Sequence, residues 1–531
     1  MKNFWDKTLG ILKEDVATVN KDFPLIFAKC AVLGLFLFIS IFVPFFVWIT
    51  LAFACIFIVC ERTGRSLYYV IFLFLLTAIF TLSHESVSFI GIILVVCSLS
   101  LITRYGLDLI NKRKKIDVLV TTIVGILILY IFLPIGDSSI MSSITLGAGV
   151  AIAHFVFIYR KDINLKEITF VLILGLIFST SIGMLHPIAE RMSTLVPGLH
   201  YFQGELWRFS GATSNPNTLA SQIVVAVALL LTLLVTKSIR ILFYPMYIFL
   251  MTIMVFTVSQ TGFIAFGFAT LLGVIFVIIK QRKIGLIKTV AIGVCAIIVF
   301  FICYSYTSVM MDRFSSALIN SPPPITNGNG DNGGSTGDGG NNNNSGNVGS
   351  GDSGVEIDWI GLTTGRVVLW EQYIRAVLSS ADKFLFGFGT NSEDIGVWGT
   401  RYFDPHNAVL ATMFYLGLVG LLLIIAWILA VIYRGGYKNI KWYGIIPALA
   451  VGLNLMAESL WGVNLFVYVT LCILALFYSN EKEQEEMEKN QEELPSYDVV
   501  LYKKLLSTVA GGKGEQSQTV ADTNEEGRET E

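Results

Sequence analysis

Charge is what this chain has least of. Of its 531 residues, 14% are Asp, Glu, Lys or Arg against 54% hydrophobic, and the formal net charge is −2. A soluble domain carries about 25% charged residues, so a soluble globular class is excluded, and mean hydropathy of +0.68 agrees. No basic stripe runs along the sequence, which leaves nothing to neutralise a nucleic acid backbone. Cysteine is equally uninformative as chemistry. Cys30, Cys55, Cys60, Cys97, Cys295, Cys303 and Cys472 all lie inside apolar runs, without metal-ligand spacing or a partner across an outer loop. They read as small lipid- or core-facing residues, and neither metal nor cofactor is expected. Lys2, Lys7, Lys13 and Lys21 precede the first apolar run without a small-residue cleavage site, which predicts an uncleaved first span.

What the chain does have is long apolar runs. A hydrocarbon core about 30 Å thick needs about 20 apolar residues per helix. On that measure about fourteen spans are expected: 23–41, 44–60, 67–82, 87–102, 118–133, 140–159, 168–184, 219–235, 241–258, 263–279, 284–304, 408–432, 443–456 and 460–477. The fold class is therefore an all-α polytopic membrane protein. Alternate connections are basic (Arg62 with Arg65, Arg104 to Lys115, Arg160 to Lys166, Lys237 with Arg240, Lys280 to Lys283, Arg434 to Lys441), while those between them are not. The positive-inside rule then puts both termini in the cytoplasm and two long loops outside.

The expected organisation is a cytoplasmic segment 1–22, N-terminal spans 23–184, a first outer loop 185–218, central spans 219–304, a second outer loop 305–406, C-terminal spans 407–478 and a cytoplasmic tail 479–531. Within the second loop, 321–354 is rich in Gly, Asn, Ser and Pro and too poor in apolar residues to fold, so it reads as a tether. The tail opens on an acidic run from Glu481 to Glu493 and reads as solvated.

The polar chemistry collects outside. Gly365 to Ser380 has helical periodicity, with Trp370, Tyr373, Ile374, Val377 and Leu378 on one face, Thr363 or Thr364 as N-cap and a Glu371–Arg375 pair opposite. Arg366 falls in the first turn, where a cation opposes the helix macrodipole by roughly 0.3–1 kcal/mol. Helix stability therefore does not explain it, whereas holding a phosphate oxygen would, as would pairing with Asp358 or Glu371. Asp404-Pro405-His406-Asn407 runs directly into an apolar helix and sets an imidazole at a membrane boundary. In the first loop Arg208 and Gly211 precede Asn215-Pro216-Asn217, where Asn217 or Thr218 can cap the next helix. Alone, an outer Arg is a snorkelling residue and a boundary His a polar helix start. His84, His154, His186 and His200 have no polar companions and carry no assignment.

The ordered set from Arg208 to Tyr433 resembles the bacterial O-antigen ligases and O-antigen or capsular polysaccharide polymerases. The likeness rests on R-x-x-G (Arg208, Gly211), N-P-N, T-G-R (Thr364 to Arg366) with Trp370 after it, G-x-G (Gly387, Gly389), and H-N (His406, Asn407) followed by Gly417 and Gly420. The resemblance implies a GT-C-like, inverting, metal-independent glycosyltransferase in the cytoplasmic membrane with an extracytoplasmic site. Its donor would be an undecaprenyl-diphosphate-linked oligosaccharide and its acceptor a glycan hydroxyl. Other polysaccharide-assembly membrane proteins would be its neighbours in the bilayer. In that scheme Arg366 and Arg208 hold the diphosphate, His406 is the general base, Asp404 or Asn407 orients it, and Asn217 and Gly211 complete the substrate contacts. The Asn-, Ile- and Lys-rich composition points to a low-GC genome and favours a polymerase over a ligase acting on lipid A core. The rival from another class is a lipid-linked oligosaccharide flippase. Transporters keep ionisable groups near the bilayer midplane, and these spans read as almost free of them.

Overall fold

The computed structural model describes residues 6, 8–12, 15, 22–61, 64–76, 89–111, 116–133, 135–136, 138–184, 202–203, 208–211, 213, 215–303, 366–390, 405–437, 440–458 and 463–478. The tether 321–354, the acidic tail, Asp358, Asp404, Thr363 and Thr364, and most of the first outer loop lie outside them. In chain order the elements are α1 (Phe23–Ser40), α2 (Phe45–Cys60), α3 (Ser66–Leu75), α4 (Phe89–Ile110), α5 (Val118–Ile131), α6 (Ile140–Ile158) and α7 (Leu165–Met184). Then come β1 (Phe202–Gln203), β2 (Arg208–Phe209), α8 (Pro216–Thr236), α9 (Phe243–Thr257), α10 (Gln260–Ile302), α11 (Arg366–Val377), α12 (Ala381–Phe386), α13 (Ala408–Gly435), α14 (Ile445–Ala457) and α15 (Val463–Leu476).

Among the described residues eight helical segments are long and apolar enough to cross a membrane: 23–40, 92–110, 140–158, 165–183, 216–236, 260–282, 284–302 and 408–435. Six further apolar helices of 10–17 residues occupy the other expected positions, each shorter than the ~20 residues of a perpendicular span. The protein is thus a mainly helical, multi-pass membrane protein. The two-residue antiparallel pair β1–β2, which opposes Gln203 to Arg208, is a small departure from the all-helical expectation.

Helix α8 forms the centre. It is apolar on every face and buried along almost its whole length, packed by α7, α9, α10 and α14. Its start corrects the expected cap. Asn215, not Asn217 or Thr218, is the N-cap, its side chain accepting from the Asn217 amide at 2.8 Å, with Pro216 in the first turn where its missing N–H costs nothing. The Asn217 side chain is thereby free for other work. Helix α10 comprises two apolar segments that meet at Arg282, whose φ of 49° breaks the run. The face of the second segment is open, with Leu286, Ile287, Val290 and Phe301 exposed, as a lipid-facing surface requires.

Ionisable groups inside the N-terminal helices are a second correction. Lys29 pairs with Glu61 at 3.0 Å, Tyr69 donates to the same carboxylate at 2.7 Å, and Arg104 and Asp108, each 1% exposed, lie 3.3 Å apart with the Tyr159 hydroxyl on Asp108. Each sits within about two turns of a helix end bordering a basic connection, so the pairs close that end of the bundle. Arg104 and Asp108 are an i,i+4 pair on α4, whereas periodicity could not reveal Lys29 with Glu61 or Tyr159 on Asp108, whose partners come from different helices.

Candidate functional site

The site is assembled where five elements end together: the start of α8, the α9–α10 turn, and the starts of α11 and α13 with the end of α14. At the first, β2 presents Arg208, whose Nε donates to the Thr257 carbonyl at 3.1 Å and whose Nη2 donates to the Asn217 side-chain oxygen. The N-P-N motif thus works as a unit, with Asn215 capping the helix and Asn217 holding the arginine. Gly211 is a turn residue with φ of 58°, and a Cβ there would lie 3.0 Å from the Ser179 hydroxyl of α7. The structure gives it a close-packing role and brings it to no cation.

Arg366 opens α11 and reaches across to the end of α14. Its Nη1 donates to the Thr261 hydroxyl and to the Ala457 carbonyl, and its Nη2 meets Glu458 Oε1 at 3.0 Å. This resolves the cation's placement. It opposes the dipole of its own helix but satisfies an orphan carbonyl and the negative end of α14. Glu371 is not the partner, since it takes Arg375, the expected i,i+4 pair, and Asp358 lies outside the described residues. Three of five guanidinium N–H groups are so engaged, leaving Nε–H and one Nη2–H for a ligand. Thr257 and Thr261 bracket the α9–α10 turn, so the two arginines flank one short turn, which Val258 makes with φ of 49° and Ser259 caps.

His406 lies beside the same carboxylate, its Nδ1 3.7 Å from Glu458 Oε2, with the ring 26% exposed and Glu458 2%. Its backbone φ of 48° is in the left-handed region, costly for a side chain of this size. The conformation is fixed from both sides. Trp370 donates its indole N–H to the Pro405 carbonyl at 2.8 Å, and the Asn407 side chain caps α13 by accepting from Val409 and Leu410. The Asn407 amide also donates to the Met456 carbonyl at 3.1 Å, tying α13 to α14. Asn407 therefore braces the backbone of His406; among the described residues the carboxylate beside the ring is Glu458, and Asp404 lies outside them. Burial raises the Glu458 carboxyl, but the His406 ring and the Arg366 charge outweigh it and hold the group below its ordinary 4.5. It is ionised at neutral pH.

The α11–α12 segment is seated by glycines. Helix α13 breaks at Gly417 (φ 63°), where a Cβ would strike the Leu385 carbonyl, and a Cβ on Gly387 (φ 80°) would lie 2.6 Å from the Gly417 nitrogen. The carbonyls released by the break are taken by Phe388 N (2.8 Å, to Phe414), Gly389 N (3.1 Å, to Tyr415) and the Tyr130 hydroxyl (2.7 Å, to Leu416). G-x-G is thus an address for backbone contact. Of the face expected on α11, Tyr373 and Val377 are buried on Phe414, but Ile374 and Leu378 are 44% and 63% exposed. The buried stripe drifts toward Leu369 and Ala376 because α12 covers only that side.

Of the residues expected at the site, Arg366, His406 and Asn407 are brought together, Arg208 with Asn217 stands across the α9–α10 turn, and Gly211 packs on Ser179 and Leu219. Glu458 and Thr261 were not expected. Glu458 is a lone acid in the gap between the expected spans 443–456 and 460–477. Residues 245–425 match the family model described as O-antigen ligase. No curated protein and no solved structure matches the chain.

Proposed function

We propose, supported by the match of residues 245–425 to the O-antigen ligase family model, that this chain is an inverting glycosyltransferase acting on the outer face of the cytoplasmic membrane. Its donor is a glycan on a polyprenyl diphosphate, undecaprenyl in bacteria, and its acceptor a sugar hydroxyl. The observation that supports this reading is the convergence of two outer-end arginines and a strained histidine around one turn. An acceptor O–H gives its proton to Nε2 of His406, the oxygen lone pair forms a bond to the anomeric carbon, and the bond from that carbon to the phosphate oxygen breaks with its electrons. The departing diphosphate is held by the free N–H groups of Arg366 and by Arg208, preorganised donors that need no proton of their own and no metal ion. Apolar helices beside them accommodate the polyprenyl tail.

Composition favours growth of a polymer on a second lipid-linked unit over transfer to lipid A core. The direct test is purified protein in liposomes with a lipid-linked oligosaccharide and matching acceptor, with chelator and without an ion gradient. Release of polyprenyl diphosphate with a longer glycan is expected; movement of the lipid-linked sugar between leaflets without product refutes the reading. Replacing the second lipid-linked unit by lipid A core separates ligase from polymerase.

The proposed orientation has its own check. Cysteines at Ser335 and Ser353 are expected to react with a membrane-impermeant thiol reagent in intact cells, and one at Ser517 is not. The opposite labelling pattern would place the arginines and His406 on the cytoplasmic side.

A further inference from the structure

We propose that Glu458 is a positioning residue that couples donor binding to the base: its carboxylate is shared between Arg366 and His406, and a bound diphosphate, by drawing Arg366 away, hands the carboxylate to His406. The inference rests on the glycosyltransferase reading and concerns the order of events within it.

The carboxylate is nearly inaccessible and its two oxygens face different partners, Oε1 the guanidinium at 3.0 Å and Oε2 the imidazole Nδ1 at 3.7 Å. The first distance is a charge-assisted hydrogen bond; the second is an ion-pair distance too long for one. The charged groups beside His406 include Glu458 at the end of α14 and, through it, Arg366 at the start of α11. The Thr261 hydroxyl of α10, which accepts from Arg366, lies beside the same carboxylate. In the donor-free protein the carboxylate therefore spends its short hydrogen bond on Arg366 and holds His406 by charge across a longer gap. A polyprenyl diphosphate brings more negative charge than one carboxylate and two sets of oxygens for the planar fork, so Arg366 turns toward it. Oε2 and Oε1 are then left to Nδ1–H, which fixes Nε2 as the lone-pair nitrogen and stabilises the imidazolium formed when Nε2 takes the acceptor proton. The base is strongest when the donor is in place, and an acceptor that arrives alone meets a weaker one.

The measurement is turnover against pH in proteoliposomes for wild type, Glu458→Gln and Glu458→Asp, with undecaprenyl-diphosphate-linked oligosaccharide binding read separately. E458Q keeps the shape and removes the charge. Turnover is expected to fall at least about tenfold. The acid limb of the profile should move to lower pH, because an imidazolium without a neighbouring carboxylate loses its proton more readily. Donor binding should be no weaker than in wild type, since Arg366 no longer divides its donors. A merely structural role would lower thermal stability and the amplitude of the profile but leave its acid limb in place, and that outcome overturns the proposal. So does weakened donor binding with unchanged turnover. Should E458Q fail to fold, E458D decides. It retains the charge at shorter reach, so turnover should fall while the acid limb stays at the wild-type position, and a limb displaced to lower pH sinks the idea. If wild type itself forms no product, the glycosyltransferase reading falls. If wild type and His406→Ala behave as expected and only the E458Q limb stays put, this inference alone falls.

Discussion

His406→Ala is expected to reduce turnover by about 10²–10⁴-fold while leaving donor-lipid binding within a few-fold of wild type. The geometry limits what else the change can do. The ring is partly exposed, the backbone is held by Trp370 and Asn407, and neither of those contacts uses the imidazole. Alanine does not favour a φ of 48°, at a cost of roughly 1–2 kcal/mol, so His406→Asn, which tolerates that region, is the companion variant. It should be as inactive as alanine and closer to wild type in thermal stability. Wild-type turnover in either variant removes His406 from the chemistry.

Arg366→Ala is expected to act on both folding and turnover. Removing the guanidinium leaves Glu458, 2% exposed, with Oε1 unpaired, and breaking a buried pair from one side costs about 3–5 kcal/mol. It also removes the proposed leaving-group donors, worth about 10²–10³-fold in turnover. The two effects separate in the double variant Arg366→Ala/Glu458→Ala, which should regain stability without regaining activity. Arg366→Lys keeps the charge but cannot reach Thr261, Ala457, Glu458 and a diphosphate with one planar fork, so rescue should be incomplete. Acid gives an independent signature. In wild type the Glu458 carboxyl lies below its ordinary 4.5 in the folded protein, so its contribution is complete above that value and lost as pH falls through the folded one. Without Arg366, His406 and Thr261 alone oppose burial, so the carboxyl is held down less. The single variant should then lose less stability on acidification than wild type does. A melting profile in detergent with the same pH dependence for both proteins would contradict the pairing.

Much of this was legible in the residues and some of it could not be. Apolar runs of about 20 residues announce helices individually, so α1, α6, α8 and both segments of α10 fall where hydropathy places them. Arg366 and His406 stood out because each is wrong for its local setting, a cation in a first helical turn and an imidazole at the entry to an apolar helix. Pairings escaped. Glu458 lies 92 residues from Arg366, and Arg104 with Asp108 gains its partner Tyr159 from another helix. No periodicity encodes such distances; they follow from which helix ends share a face of the bundle. The cap of α8 was misplaced by two residues for a different reason. Asn215 and Asn217 are equally good caps by type, and only the demand of Arg208 for an acceptor assigns the second away from the helix.

The glycine seam between α12 and α13 bears on how such a protein can change over time. The stretch from Arg366 to Thr390 is fastened at one end to α14 and at the other to α6, where the Thr390 hydroxyl meets that of Ser143 at 3.1 Å, and Gly387 and Gly417 bring its backbone against α13 between them. Histidine, arginine and carboxylate are therefore registered to one another by contacts with the helices, Thr261 of α10 and Ser143 of α6 included. Insertions, deletions or wholesale exchange within the tether 321–354 are expected to leave these groups where they are. Loop length and composition there are then free to drift, and exchanging that segment between relatives should leave the arrangement of Arg366, His406 and Glu458 unchanged.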